Sequence, residues 1–319
     1  MGFLVDISPT APPLRGPIVA AQEWRRLAFV HWRVPADRVA PLLPRGVAPD
    51  ILDGSAWVGL IAFELGDARV GPLTFGARWG SFTEVNVRLY GVDERGRRGV
   101  VFRSLEASSL PAVLGARGLF NLPYMWARSE HRPGPDGWEY TSRRIVSLSS
   151  QRGPRFQLGV TVDTARTVND ELSQFLTARW GLFQGRFGRT QWLPNEHEPW
   201  VLHPARVTFL RDELVAAAGL PGVVDRPPDS VLFSPGVNAR FGRGDWLDTA
   251  RGPLIGWFSA KLPRRVMNRS MDASRLISMF RRPVETGSFT SACPSSTLSG
   301  VGSLSETRTR TGLPSTLGD

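Results

Sequence analysis

The run Ser81-Phe82-Thr83-Glu84-Val85-Asn86-Val87-Arg88-Leu89-Tyr90 decides the fold class. Apolar and polar residues alternate along it at period two, the pattern of a β-strand with two different faces. Val85, Val87 and Leu89 share one face, and Glu84, Asn86, Arg88 and Tyr90 share the other. A carboxylate, an amide and a guanidinium therefore follow one another at steps of ~7 Å. Such a series can recognise a small polar molecule, or it can pair internally and with neighbouring strands.

The flanking sequence extends this strand into a unit. The turn Asp93-Glu94-Arg95-Gly96 leads to a second strand, Val100 to Glu106. A short helix follows, with Ser108 or Ser109 as N-cap, Pro111 in its first turn and an end near Leu119. Leu110, Val113 and Arg117 recur on it at i, i+3 and i+7. Arg117 thus continues an apolar stripe and, if buried, needs a partner or an anion. Asn121-Leu122-Pro123-Tyr124 then turns the chain extended, because a residue before proline avoids the helical region.

Upstream, Leu27 to Val34 reads as a strand and Ala36 to Leu43 as a helix. Asp53-Gly54 is a hairpin turn signal, and Ala56 to Glu64 is a nearly all-apolar central strand. Downstream, strands are expected at Trp138 to Val146, Arg155 to Val162, Gln184 to Trp192, Val201 to Leu210 and Ser230 to Phe241. Helices are expected at Asp170 to Arg179 and Asp212 to Ala218. No linker interrupts residues 21–243, which implies one β-rich α+β domain forming a closed or partly closed barrel. Residues 1–20 are a Pro-rich irregular lead-in. Residues 244–319 form a C-terminal extension, rich in Ser, Thr, Arg and Pro and expected to be disordered from about 262.

Composition narrows the function classes. The 319 residues carry a net charge of +10, but without clustered basic faces, which argues against nucleic acid or a membrane surface as partner. A lone cysteine, Cys293, excludes an internal disulfide framework and any multi-cysteine metal site. Met1 to Asp6 lacks the basic and apolar regions of a signal peptide, and no apolar run approaches the ~18 residues of a membrane span. A soluble cytoplasmic protein with a small-molecule ligand is the expectation, its oligomeric state left open and a homo-oligomer compatible. His31, His131, His197 and His203 match no metal-ligand spacing, so no metal is expected, and His31 reads as a hydrogen-bonded structural histidine. There is no Gly-x-Ser-x-Gly elbow and no glycine-rich nucleotide loop, so neither a serine hydrolase nor a cofactor is expected.

Several motifs in order carry a family resemblance. They are Phe29-Val30-His31-Trp32-Arg33-Val34-Pro35, Leu43-Pro44, Asp53-Gly54-Ser55-Ala56-Trp57-Val58-Gly59, Glu84 to Tyr90, Ala116 to Tyr124 and His197-Glu198-Pro199-Trp200. Over roughly residues 21–241 the chain resembles the YqjF-like family of uncharacterised bacterial proteins, domain of unknown function 2071, in the acetoacetate decarboxylase-like superfamily. The resemblance implies a β-barrel enclosing a polar cavity. In the decarboxylase a buried lysine forms a Schiff base with a β-keto acid, assisted by a glutamate on a cavity-facing strand. Glu84 matches the glutamate-bearing strand, while Leu122-Pro123-Tyr124 stands where the decarboxylase has proline then lysine. Of 39 Lys+Arg only Lys261 is lysine, and it lies beyond the matched region, so chemistry through a lysine imine is not expected.

The candidate site is therefore Glu84 as acid/base catalyst, with Asn86, Arg88, Arg117, Tyr124 and Glu106 as ligand contacts. Two readings stay open: an enzyme acting without a Schiff base on a small oxo- or carboxyl-bearing molecule, and a non-catalytic binding module. A desolvated Glu84 in a closed pocket points to catalysis. A Glu84 locked in an ion pair with Arg88 points to structure or plain binding.

Overall fold

The computed structural model describes residues 7–71, 73–74, 81–145 and 152–247. Lys261, Cys293 and the tail expected to be disordered lie outside the described residues. The strands are β1 (Ala20–Val34), β2 (Val47–Pro49), β3 (Ala56–Val70), β4 (Leu73–Thr74), β5 (Phe82–Asp93), β6 (Arg98–Ala107) and β7 (Tyr124–Gly134). They continue as β8 (Gly137–Ile145), β9 (Arg152–Val162), β10 (Gly181–Arg186), β11 (Arg189–Glu196), β12 (His203–Asp212), β13 (Ser230–Phe241) and β14 (Asp245–Trp246). The helices are short: α1 (Ala36–Val39), extended by a 3-10 turn over Ala40–Leu42, α2 (Leu110–Phe120), α3 (Glu171–Thr177) and α4 (Leu214–Ala217).

Five strands form a wall in the order β6-β5-β3-β1-β13, every neighbour antiparallel. At both ends of the wall the outer edge forks. The outer edge of β6 pairs with β10 near Val100 and with β7 at Leu105–Ala107, in both cases parallel. The outer edge of β13 pairs with β12 at Leu232 and Phe233 and with β11 at Arg240 and Phe241. Strands β7, β8, β9 and β12 close one ring against the wall, and the β10–β11 hairpin closes a second. The result is a β-rich sheet partly curled into rings, as the strand count and the alternation in β5 imply.

Both faces of the wall are consequently buried. Val85, Val87 and Leu89 pack with Tyr140, Phe156 and Leu158 of β8 and β9. On the other face Phe29, Ile61, Phe63 and Leu105 form a separate cluster. Each such large side chain contributes ~1.5–3 kcal/mol by leaving water.

Two irregularities keep the second face continuous. In β1 the register slips between Arg25 and Ala28, and Arg26 adopts the left-handed region at φ 54°. This one-residue bulge re-phases the strand, so Trp24 and Leu27, three apart, face the same way. The strained residue is held from several sides: Arg26 pairs with Glu64, its carbonyl accepts the Tyr140 hydroxyl, and its guanidinium lies 4.9 Å over the Trp138 ring. A second slip, opposite Val87 and Arg88, lets Phe102 and Leu105 of β6 share that face.

The stretch expected as one strand from Gln184 to Trp192 is instead the β10–β11 hairpin. Its turn residues Phe187 and Gly188 both have positive φ, 51° and 72°, as a two-residue type I′ turn requires. Phe-Gly lacks the Asn or Asp that normally marks this turn, so the break is not visible in the sequence. Strand β1 also begins at Ala20 rather than Leu27, because the bulge at Arg26 breaks the alternation.

Opposite the β1 bulge, Gly236 has φ 143°, and a Cβ there would lie 2.1 Å from the Trp24 carbonyl oxygen. Gly236→Ala is expected to destabilise the protein by at least ~2 kcal/mol. Urea unfolding of the variant checks this; a change under ~0.5 kcal/mol, the range of inconsequential surface substitutions, would contradict the bulge geometry.

Candidate functional site

A cavity of about 100 Å³ lies between the second face of the wall and the β10–β11 hairpin. The wall supplies Trp24, Phe29, Phe63 and the three polar residues of β5, Glu84, Asn86 and Arg88. The hairpin supplies Leu182, Leu193 and Asn195, and the segments beside it bring Arg179, His197 and Trp200. The surface is mostly apolar, with a few polar groups directed into it, the usual make-up of a small-molecule pocket.

Glu84 is 2% exposed. Its Oε2 accepts the Tyr124 hydroxyl at 2.8 Å, and Asn86 Nδ2 lies 3.5 Å from Oε1. It forms no ion pair among the described residues. Burial pushes its pKa from the ordinary 4.5 up to about 7, and the hydrogen bonds from Tyr124 and Asn86 pull back only in part. Tyr124, itself buried and facing Glu84, is held well above the usual tyrosine range and keeps its proton. Its position follows from the local chain. Ser109 caps α2 by accepting from Ala112 N, and Asn121 closes the helix in the left-handed region at φ 53°. The Pro123 carbonyl then accepts Leu105 N, seating Tyr124 beside Leu105 in the parallel β6–β7 pair.

Arg88 turns the other way along β5. Its Nε donates to the Tyr90 hydroxyl at 3.0 Å and an Nη to the Leu176 carbonyl at 3.2 Å. Tyr90 in turn meets His31 Nε2 at 2.7 Å. His31 is fully buried, and burial together with the charges of Arg88 and Arg179 holds its pKa well below the usual value, so it is neutral. Gly59 makes room for this contact, since a Cβ there would lie 2.9 Å from the Tyr90 hydroxyl. Arg179 follows α3. Its Nε donates to the Phe175 carbonyl at 2.7 Å, and Nη1 pairs with Asp50, which Arg98 grips with two bonds of 2.8 Å. Among the described residues, the Nη2 of Arg179 and the Oδ1 of Asn86 are buried without a hydrogen-bond partner.

Aromatic rings line another part of the cavity. Trp24 and Trp200 stack at 6.1 Å and 11°, and His197 packs between Trp200 and Trp180 at 4.5 and 4.6 Å. The indole N–H of Trp24 donates to Gln22 and that of Trp200 to the Thr177 carbonyl. Their polar ends being occupied, these tryptophans offer ring surface to the cavity.

Of the residues expected at the site, Glu84, Asn86, Arg88 and Tyr124 meet in this cavity. Two do not. Arg117 is exposed on α2, because that helix buries Val113 while Leu110 is 39% and Leu114 62% exposed, so the supposed stripe is not its packed face. Glu106 neighbours Leu105, which lines the cavity, and strand alternation therefore sends it to the opposite side. There it is fully buried against Arg144, with contacts of 3.1 and 3.2 Å to Nε. Arg179 was not anticipated. An arginine after a short helix reads as a solvated partner of the helix C-terminus, and only the tertiary contact with Asp50 turns it inward. Among the described residues no group of three or more His, Cys, Asp or Glu could hold a metal ion, and no helix is long and apolar enough to cross a membrane.

Glu84 gives a testable pH dependence. An acid whose folded pKa is raised stabilises the fold while protonated, and that contribution is lost as pH rises through the folded value. Between about pH 4.5 and 7 the loss amounts to roughly 3 kcal/mol. Glu84→Gln removes it, so its stability relative to wild type should rise by that order from pH 5 to pH 8 in urea titrations. Asp212, also raised by burial to about 6, is common to both proteins and cancels. A pH-independent difference would contradict the desolvated carboxyl.

Residues 21–238 match the family DUF2071, described as an uncharacterized conserved protein. The uncharacterized protein YqjF of Bacillus subtilis (strain 168) is 30% identical over 204 residues, which span 63% of this chain and 82% of that protein. Solved structures similar to this chain include an acetoacetate decarboxylase-like enzyme from Sphingomonas wittichii RW1, at 14% identity and TM-score 0.49. That match covers 73% of this chain and 94% of the other. The enduracididine biosynthesis enzyme MppR complexed with pyruvate is similar at 16% identity and TM-score 0.47, over 73% of this chain and 91% of that one. With more than half its length matched by the family, the chain is a member of DUF2071.

Proposed function

We propose that the protein binds a small oxo- and carboxyl-bearing molecule in this cavity and moves a proton on it, with Glu84 as acid/base and without a lysine imine. The observation that carries this reading is the setting of Glu84: a carboxyl withdrawn from water, facing a cavity, and bonded to neutral Tyr124 and Asn86 instead of an arginine. A structural carboxylate in such a place would be expected to have a cationic partner, as Glu106 has in Arg144. With its pKa near 7, Glu84 is partly ionised at neutral pH and can both take up and return a proton. In the proposed step the Glu84 carboxylate takes a proton from the carbon beside the oxo group. The C–H electron pair forms a C=C bond to the oxo carbon, whose C=O π pair moves onto the oxygen as an enolate, and the same carboxyl later returns the proton to carbon. Tyr124 fixes the carboxyl, and Arg88 holds the carboxylate of the ligand. No residue among those described is a lysine, in keeping with a route that uses none.

The test is deuterium uptake by NMR. Pyruvate, 2-oxobutanoate, 4-oxopentanoate and 5-oxohexanoate are incubated in D₂O with the full chain at pH 7. Exchange at the carbon beside the oxo group should exceed the buffer rate for at least one acid. Glu84→Gln should reduce the excess by at least ~100-fold. Thermal stabilisation by these acids with no excess exchange would leave a binding module instead.

A further inference from the structure

We infer that the cavity selects an oxo acid whose carboxylate, seated between Arg88 and Arg179, lies several carbons from the group that meets Glu84. This deepens the reading above and rests on it.

Arg179 is the first element. Its guanidinium cannot turn to find a partner, because Nε is fixed by the Phe175 carbonyl and Nη1 by Asp50. Nη2 is left buried and unbonded in a residue that lines the cavity. A buried donor without an acceptor is costly, so this atom defines where an acceptor of the ligand belongs. Arg88 converges on the same end. The two guanidiniums lie 5.5 and 4.9 Å from the Tyr90 ring, and they bond consecutive carbonyls of α3, Leu176 and Phe175. The local charge is also unbalanced. Asp50 is shared by Arg98 and Arg179, while the hydrogen bonds of Arg88 go to the Tyr90 hydroxyl and a backbone carbonyl. A carboxylate at this end would meet two guanidiniums and relieve that excess.

Separation is the second element. Glu84 and Arg88 stand four residues apart on β5, ~13 Å between Cα atoms. The Glu84 carboxyl is tied to Tyr124 and Asn86, whereas Arg88 leans away toward Tyr90. Allowing ~3 Å for a hydrogen bond at each end leaves ~7 Å for the ligand to span. With C–C bonds of ~1.5 Å, a three-carbon 2-oxo acid cannot reach both ends. Asn86, midway and with Oδ1 unbonded, has an acceptor available for a donor group on the ligand.

The experiment is a melting-temperature series on the full chain at pH 7 with millimolar pyruvate, 3-oxobutanoate, 4-oxopentanoate and 5-oxohexanoate. The shift should grow along the series and be at least threefold larger for 5-oxohexanoate than for pyruvate. Arg179→Met should remove most of the shift with the longer acids. It should still fold, because Asp50 keeps the two-bonded grip of Arg98. Arg179→Lys, which retains the charge, should keep an intermediate shift and serves as the test if the methionine variant is unstable. A shift that is largest for pyruvate, or equal across the series, overturns the inference and leaves the proposed function standing. Unchanged shifts in both Arg179 variants also overturn it. If none of the acids shifts the wild type, the proposed function fails together with it.

Discussion

Strand β5 has a strand on either side and packed side chains over both faces, so Glu84 and Asn86 on it are cut off from water. That constraint governs the rest of the site. A carboxyl on such a strand must find a cationic partner, stay protonated over much of the pH range, or face a cavity. Glu84 does the last two. The same wall that excludes solvent from Val85, Val87 and Leu89 on one side raises the Glu84 pKa on the other. Stability and a reactive carboxyl therefore arise from one architectural feature.

The forked sheet explains why there is a cavity at all. A single ring closed on this wall would fill its interior with side chains, as small barrels do. Here the larger ring is filled, by Tyr140, Phe156 and Leu158 among others, while the short β10–β11 hairpin spans only part of the opposite face. The bulges at Arg26 and opposite Val87–Arg88 then keep one set of residues aimed at the remaining space. Without the first, Trp24 and Leu27 could not share it. Strain at Arg26, held by Glu64 and Tyr140, is thus coupled to the shape of the pocket several residues away.

Much of this was legible in the sequence because alternation is a strong signal. The two faces of β5, the β-rich class, and the turn of the chain at Asn121 to Tyr124 all follow from residue order alone. What the sequence hid was whatever depended on distant partners. Glu106 and Glu84 look alike, both acids on strands next to apolar residues, yet only the pairing with Arg144 distinguishes them. Arg117 continues an apolar stripe in the sequence, yet the packing leaves it exposed, while Arg179, which carries no sequence signal of a site, lines the cavity. The Phe187-Gly188 turn lacks an Asn or Asp, so the hairpin that bounds the cavity has the sequence appearance of one continuous strand.

Glu84 is a desolvated carboxyl with no cationic partner among the described residues. Its titration measures this most directly, by ¹³C NMR of glutamate carboxyl resonances in the full chain, with Glu84→Gln assigning the signal. A midpoint near 7 is expected. A midpoint at or below the ordinary glutamate value of ~4.3 would mean that water or a cation reaches the carboxyl, and would contradict it.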